Sequence, residues 1–145
     1  EIERQTNNTC KVFIENKGWQ AFRTLETQVL RTTLTQHPSN VVICCGGIVE
    51  SEQVRNDILP QQPFVVHLSR ALPDILTYLN ADCERPAFSQ EIEEVWQRRE
   101  PWFEQCANYE FAIASGDHHW PSIEAAFIAF VQKNCLRTNT HRLHS

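Results

Sequence analysis

The chain reads as an α/β protein built on a parallel sheet, and three observations point there. Strand-like and helix-like stretches alternate along it, the order in which helices come to cover both faces of such a sheet. The run Val41-Val-Ile-Cys-Cys45 is apolar throughout and β-branched at its start, which predicts a strand buried on both faces. Gly46 and Gly47 follow at once, and Ser51 stands where it can cap a helix over Glu52–Leu59. A strand, a glycine turn and a helix form the unit whose strand-end crevice holds ligands in open α/β sheets. On spacing alone, two glycines after a strand are equally a simple turn.

The other elements follow in order. Glu1–Lys17 is polar at first and then apolar at Val12, Phe13 and Ile14, and Gly18 separates it from an amphipathic helix. In that helix Trp19, Phe22, Leu25, Val29 and Leu34 share a face at helical spacing. Arg23 and Glu26, three apart beside this stripe, read on their own as a solvated intrahelical ion pair. Pro38-Ser39-Asn40 closes the helix. Phe64–Leu68 predicts a second buried strand, and Pro73 suits the first turn of a helix to about Asn80. Ala81–Gln90 is a polar connection in which Pro86 biases Arg85 towards an extended conformation. A helix with Ile92, Val95, Trp96 and Arg99 comes next, and Pro101 is expected to kink or restart it. Tyr109–Ala114 predicts a third strand, Ser115–His119 a loop, and Pro121 the start of a last helix through Val131. Leu136–Ser145 is polar and reads as a tail or linker.

Composition narrows the function classes. The 145 residues are 41% hydrophobic and 21% charged, enough for one domain or a piece of one with a real core. A formal charge of −5 argues against a general nucleic-acid or anionic-membrane surface. No run is long enough to span a membrane, and no signal-peptide pattern opens the chain. The six cysteines have no metal-ligand spacing, so they are expected to be reduced, mostly core-filling thiols of an intracellular protein, with no metal site. No methionine occurs, which leads us to expect a segment of a longer product.

Four stretches carry a family resemblance. Gly18-Trp-Gln-Ala-Phe-Arg-Thr-Leu-Glu26, Cys44-Cys-Gly-Gly-Ile-Val-Glu50, Arg85-Pro-Ala-Phe88 and Val95-Trp-Gln-Arg-Arg-Glu-Pro-Trp-Phe-Glu104 fall in the order and spacing of a shikimate kinase. The chain most resembles the fungal type, found in the pentafunctional aromatic-pathway polypeptide and, in regulatory form, in the quinate repressor. The resemblance implies a P-loop NTPase-like, three-layer parallel sheet that is incomplete at its N-terminus, with the domain over residues 1–135 and the tail over 136–145. It implies that Arg23 pairs with the substrate carboxylate while Glu26 holds it, and that Arg99 is the second carboxylate arginine. Gly46 and Gly47 would offer backbone amides to shikimate hydroxyls, and Arg85 would be the lid arginine reaching ATP phosphates. A guanidinium binds a carboxylate bidentately, and phosphoryl transfer is mostly positioning and charge stabilisation, so the roles suit the residue types. Without the family each arginine also reads as a surface charge.

The departures from the family carry as much information. No G-x-x-x-x-G-K-[ST] loop and no paired magnesium aspartates are found, so ATP and magnesium, cofactors of the family, are not expected on this chain. Cys45 stands where the family has the first of three glycines, and Glu84 adds negative charge beside Arg85. These departures point to a non-catalytic regulatory module of a fungal quinate-pathway transcription repressor. It would sense a shikimate- or quinate-like carboxylate or contact the transcription activator, beside dehydroquinase-like and shikimate dehydrogenase-like domains. The three arginines favour the alternative, the C-terminal portion of an active kinase domain of the pentafunctional polypeptide. A segment that only contacts protein through open sheet edges is the third reading. The location would be nuclear or cytoplasmic for a repressor, and cytoplasmic for the enzyme.

Overall fold

A computed structural model describes residues 1–39, 41–81 and 92–142. Helix α1 (Ile2–Thr6) leads through a left-handed Asn7 into α2 (Cys10–Gln36), whose first turn is capped by the Thr9 hydroxyl accepting from the Val12 amide at 3.3 Å. Gly18, at φ 81° and ψ 165°, breaks α2 into two helical segments at the point the sequence marks. That backbone geometry is open almost only to glycine.

The sheet has two parallel strands, β1 (Val66–Arg70) and β2 (Tyr109–Ile113), paired from Val66 with Tyr109 to Arg70 with Ile113. Between them run α3 (Leu72–Ala81) and α4 (Ile92–Cys106), and α5 (Trp120–Arg142) follows β2. Tyr109 and Phe111, two apart and therefore on one face, pack edge-on against Phe130 of α5 at 6.4 and 5.3 Å between ring centroids. On the opposite face His67 stacks on Phe103 of α4 at 5.1 Å. Helix side chains thus pack on both faces, as the alternation of elements predicts, but the cover is partial: Leu68 on one face is 55% exposed, and Glu110 and Ala112 on the other are exposed. α4 continues through Pro101, and α5 runs on to Arg142, into the stretch read from sequence as a tail. No glycine or proline interrupts the chain after Pro121, so nothing local stops that helix.

One expected strand is not there. Val41–Cys45 forms no regular secondary structure and pairs with no strand among the described residues, and Val42 is 89% exposed. A run apolar on both faces becomes a central strand only with strands on both sides, and none of the described residues supplies one. Ile43 alone of the five packs against the core, and Cys44 and Cys45 are exposed rather than core-filling. The core gathers instead around a compact connection: a 3₁₀ turn over Gly47–Glu50, a π-type turn over Val54–Ile58 and a short 3₁₀ turn over Leu59–Gln61. Ile48, Val49, Val54, Ile58 and Leu59 pack with Leu30 of α2 and Cys106 of α4. The Ser51 hydroxyl accepts from the Val54 amide at 3.4 Å, the cap expected of it, although the helix it opens is shorter and wider than an α-helix. No helix among the described residues is long and apolar enough to cross a membrane.

Gly18→Ala puts a Cβ on a backbone conformation that side chains avoid. It should lower the unfolding free energy by about 1–3 kcal/mol, read from the urea midpoint, although no neighbouring atom obstructs the new methyl.

Candidate functional site

The connection between α2 and β1 also builds the site. α2 presents Arg23, whose guanidinium lies directly against the backbone of Gly47. A Cβ built on Gly47 would sit 2.9 Å from the Arg23 Cζ, so only glycine allows this approach. Arg23 is held from its own helix by an ion pair with Glu26, and it lies over the Trp19 ring at 5.0 Å. Both ionic side chains are largely covered, at 15% and 14% exposure, so the pair is not the solvated surface contact that spacing alone suggests.

α4 supplies the second group. Arg99 Nε donates to Glu50 Oε1 at 2.8 Å, and Arg98 Nη2 donates to the same oxygen at 2.7 Å. Glu50 ends the turn that Gly47 begins, so the two arginine systems grip opposite ends of one turn. Burial and the positive charges of Arg23 and Arg98 hold the Arg99 guanidinium below its ordinary value, against the opposing pull of Glu50. Burial pushes the Glu50 carboxyl up, but hydrogen bonds from Arg98 and Arg99 outweigh it and leave the group below the usual carboxylate range. Around these residues opens a cavity of about 780 Å³, lined on its charged side by Arg23, Arg31, Arg98 and Arg99 and by Glu50 and Glu52. In a chain of net charge −5, such a concentration of guanidinium groups favours an anion.

Arg23, Glu26, Gly47 and Arg99, singled out from sequence, are therefore brought to one site even though the Val41 strand that should frame it is absent. Gly46 lies beside it in an open position, where a Cβ would meet nothing within 4 Å. Arg85 and its neighbours Cys83 and Glu84 lie outside the described residues. Sequence reasoning missed Glu50 and Arg98. Both stand inside the quoted motifs, yet they are 48 residues apart and no local pattern links them. These 145 residues carry no G-x-x-x-x-G-K-[ST] phosphate loop, and no cluster of three or more His, Cys, Asp or Glu side chains occurs among the described residues.

Comparison with known proteins decides the family. A family model described as shikimate kinase matches residues 1–130. The chain belongs to the shikimate kinase family. It is 36% identical over 138 residues to the pentafunctional AROM polypeptide of Clavispora lusitaniae, and to that of Saccharomyces cerevisiae over the same length, covering 90% of this chain in each case. It is 34% identical to pentafunctional AROM polypeptide 1 of Lodderomyces elongisporus over 91% of this chain. The chain spans only about 9% of the length of these relatives. The shikimate kinase-like α/β assignment is thus borne out, as is the likeness to the AROM kinase region.

Two predictions follow from this geometry. Gly47→Ala should push the flexible end of Arg23 aside at little cost to folding, within about 1 kcal/mol by urea titration, while weakening anion binding about tenfold by calorimetry. Glu50 has a depressed folded-state pKa, so its contribution to stability is present above about pH 4.5, its ordinary value, and is lost as pH falls through the lower folded value. The stability difference between wild type and Glu50→Gln, followed by thermal unfolding, should therefore shrink as the pH is lowered below that point.

Proposed function

We propose that this chain is the carboxylate-recognising portion of a shikimate kinase domain within a polypeptide of the pentafunctional AROM type. ATP-dependent formation of shikimate 3-phosphate would then need a phosphate loop and magnesium aspartates from outside these 145 residues. The observation that carries this reading is the meeting of Arg23 and Arg99, from separate helices, at the two ends of the Gly47–Glu50 turn. Paired guanidinium groups beside a glycine backbone suit a small acid bearing hydroxyls: the arginines take the carboxylate, and amides at Gly46-Gly47 take hydroxyls. The names of the relatives support a setting among other domains of the same pathway.

A second reading rests on a different residue. Cys45 replaces the first glycine of the family triplet, putting a Cβ and sulfur beside the sugar-like ring of the ligand. That substitution suits a regulatory module that senses the acid without phosphorylating it, as in a quinate-pathway repressor.

Calorimetric titration of shikimate and quinate into wild type, Arg23→Ala and Cys45→Gly, at low salt, tests both. Wild type should bind shikimate weakly, Arg23→Ala should lose about 10- to 100-fold, and Cys45→Gly should gain affinity. No binding of shikimate or quinate to wild type or to Cys45→Gly would overturn the carboxylate-site reading. Preference for quinate in wild type would favour the regulatory one. The isolated chain should show no shikimate-dependent ATP turnover, and turnover that disappears in Arg99→Ala would contradict that expectation.

A further inference from the structure

We propose that Glu50 is a built-in competitor for the anion site, occupying on Arg98 and Arg99 the donors that an incoming carboxylate or oxyanion would use. The inference rests on the carboxylate-site reading for the identity of the natural ligand, but not for the competition itself. Glu50 Oε1 accepts from Arg98 Nη2 at 2.7 Å and from Arg99 Nε at 2.8 Å, so one oxygen serves two cations. A ligand carboxylate that meets one guanidinium in two parallel bonds engages both of its oxygens, the stronger arrangement. The internal pairing is therefore good enough to hold the arginines in place and open to displacement by a better partner.

Burial makes this an exchange rather than an addition. The Arg99 and Glu50 side chains are only 13% and 21% exposed, and neither charge can be left there without a counter-charge at small cost. An anion that takes over Arg99 leaves Glu50 on Arg98, the more exposed of the two arginines at 36%, where water can make up the difference. Position adds a consequence. Glu50 closes the turn that Gly47 opens, so a shift of its carboxylate is transmitted through Ile48 and Val49 to the backbone under Arg23. Arg98 becomes a specificity-determining residue on this account: it holds the competitor, and so sets how strong an acid's grip must be to enter.

The test uses inorganic sulfate as probe on the 145-residue chain, with affinity read by calorimetry and by thermal shift. Glu50→Gln should bind sulfate about fivefold or more tightly than wild type. Glu52→Gln is the control, because Glu52 lines the same cavity and its loss changes the net charge equally. It should change sulfate affinity less than about twofold. Equal gains in the two variants would reduce the effect to net charge and overturn the proposal. A Glu50→Gln variant that binds sulfate no better, or worse, would also overturn it and make Glu50 a positioning residue for Arg99. Should Glu50→Gln fail to fold, Glu50→Asp keeps the charge but is one methylene too short to span both arginines. Its sulfate affinity should rise above wild type, and an unchanged value overturns the inference. Sulfate binding that responds in this way while shikimate does not bind would fail the proposed function and leave the competitor standing. The reverse pattern separates the two in the other direction.

Discussion

The structure depends on one short turn held from both ends. Gly47–Glu50 contributes Ile48 and Val49 to the core, each 4% exposed, and offers its first and last residues to guanidinium groups from two helices. Arg23 of α2 lies on Gly47, and Arg98 and Arg99 of α4 converge on Glu50. Packing and electrostatics are therefore the same constraint seen twice. The turn cannot rotate to change one arginine without moving two side chains that seal the contact among α2, α4 and the Val54–Ile58 segment. A fourth cation reinforces the arrangement: Arg55 donates to the Val49 carbonyl at 2.5 Å and lies over the Trp102 ring at 4.2 Å.

How much of this is legible in the sequence depends on how far each feature reaches along the chain. The break at Gly18, the Ser51 cap and the start of α5 at Pro121 are local chemistry, and they stand where the residues say. β1 falls two residues later than expected, at Val66 rather than Phe64, which is the ordinary imprecision of an apolar run without sharp ends. Val41–Cys45 fails for a different reason. Its composition is right for a strand, but a strand is a relation between segments, and its backbone has no described neighbour to bond. The buried state that its five apolar residues call for is consequently approached only at Ile43, which is partly buried against the core.

The site shows the same division. Arg23 and Glu26 are neighbours on one helix turn and could be paired from spacing, whereas the degree of their burial could not. Arg99 was legible only through family resemblance, since nothing in its surroundings distinguishes it from Arg98. Glu50 was invisible as a functional group because its partners lie 48 and 49 residues downstream. Its role emerges only when α4 is laid beside the turn. Cys45 runs the other way: the sequence marks it as an intrusion into a glycine triplet, while the structure leaves it exposed yet near enough to Glu26 that partial burial and that carboxylate together push its thiol up.

This division has a physical consequence for how such a site can be used. Four arginines around one cavity would repel one another strongly if they waited for an external anion, and the fold would carry that strain. Here Glu26 pairs with Arg23 and Glu50 with Arg98 and Arg99, so three of the four are held in position before any ligand arrives. Preorganisation of this kind reduces the ordering cost of binding, but it replaces that cost with the work of exchanging one carboxylate for another. On the proposed carboxylate-site reading, the net affinity for a simple acid would then be small, and discrimination would come from what the ligand offers beyond its charge: hydroxyl groups for the Gly46-Gly47 backbone and a ring that tolerates Cys45. A site built on exchange is selective because its internal carboxylate is already a fair substitute for an undistinguished one.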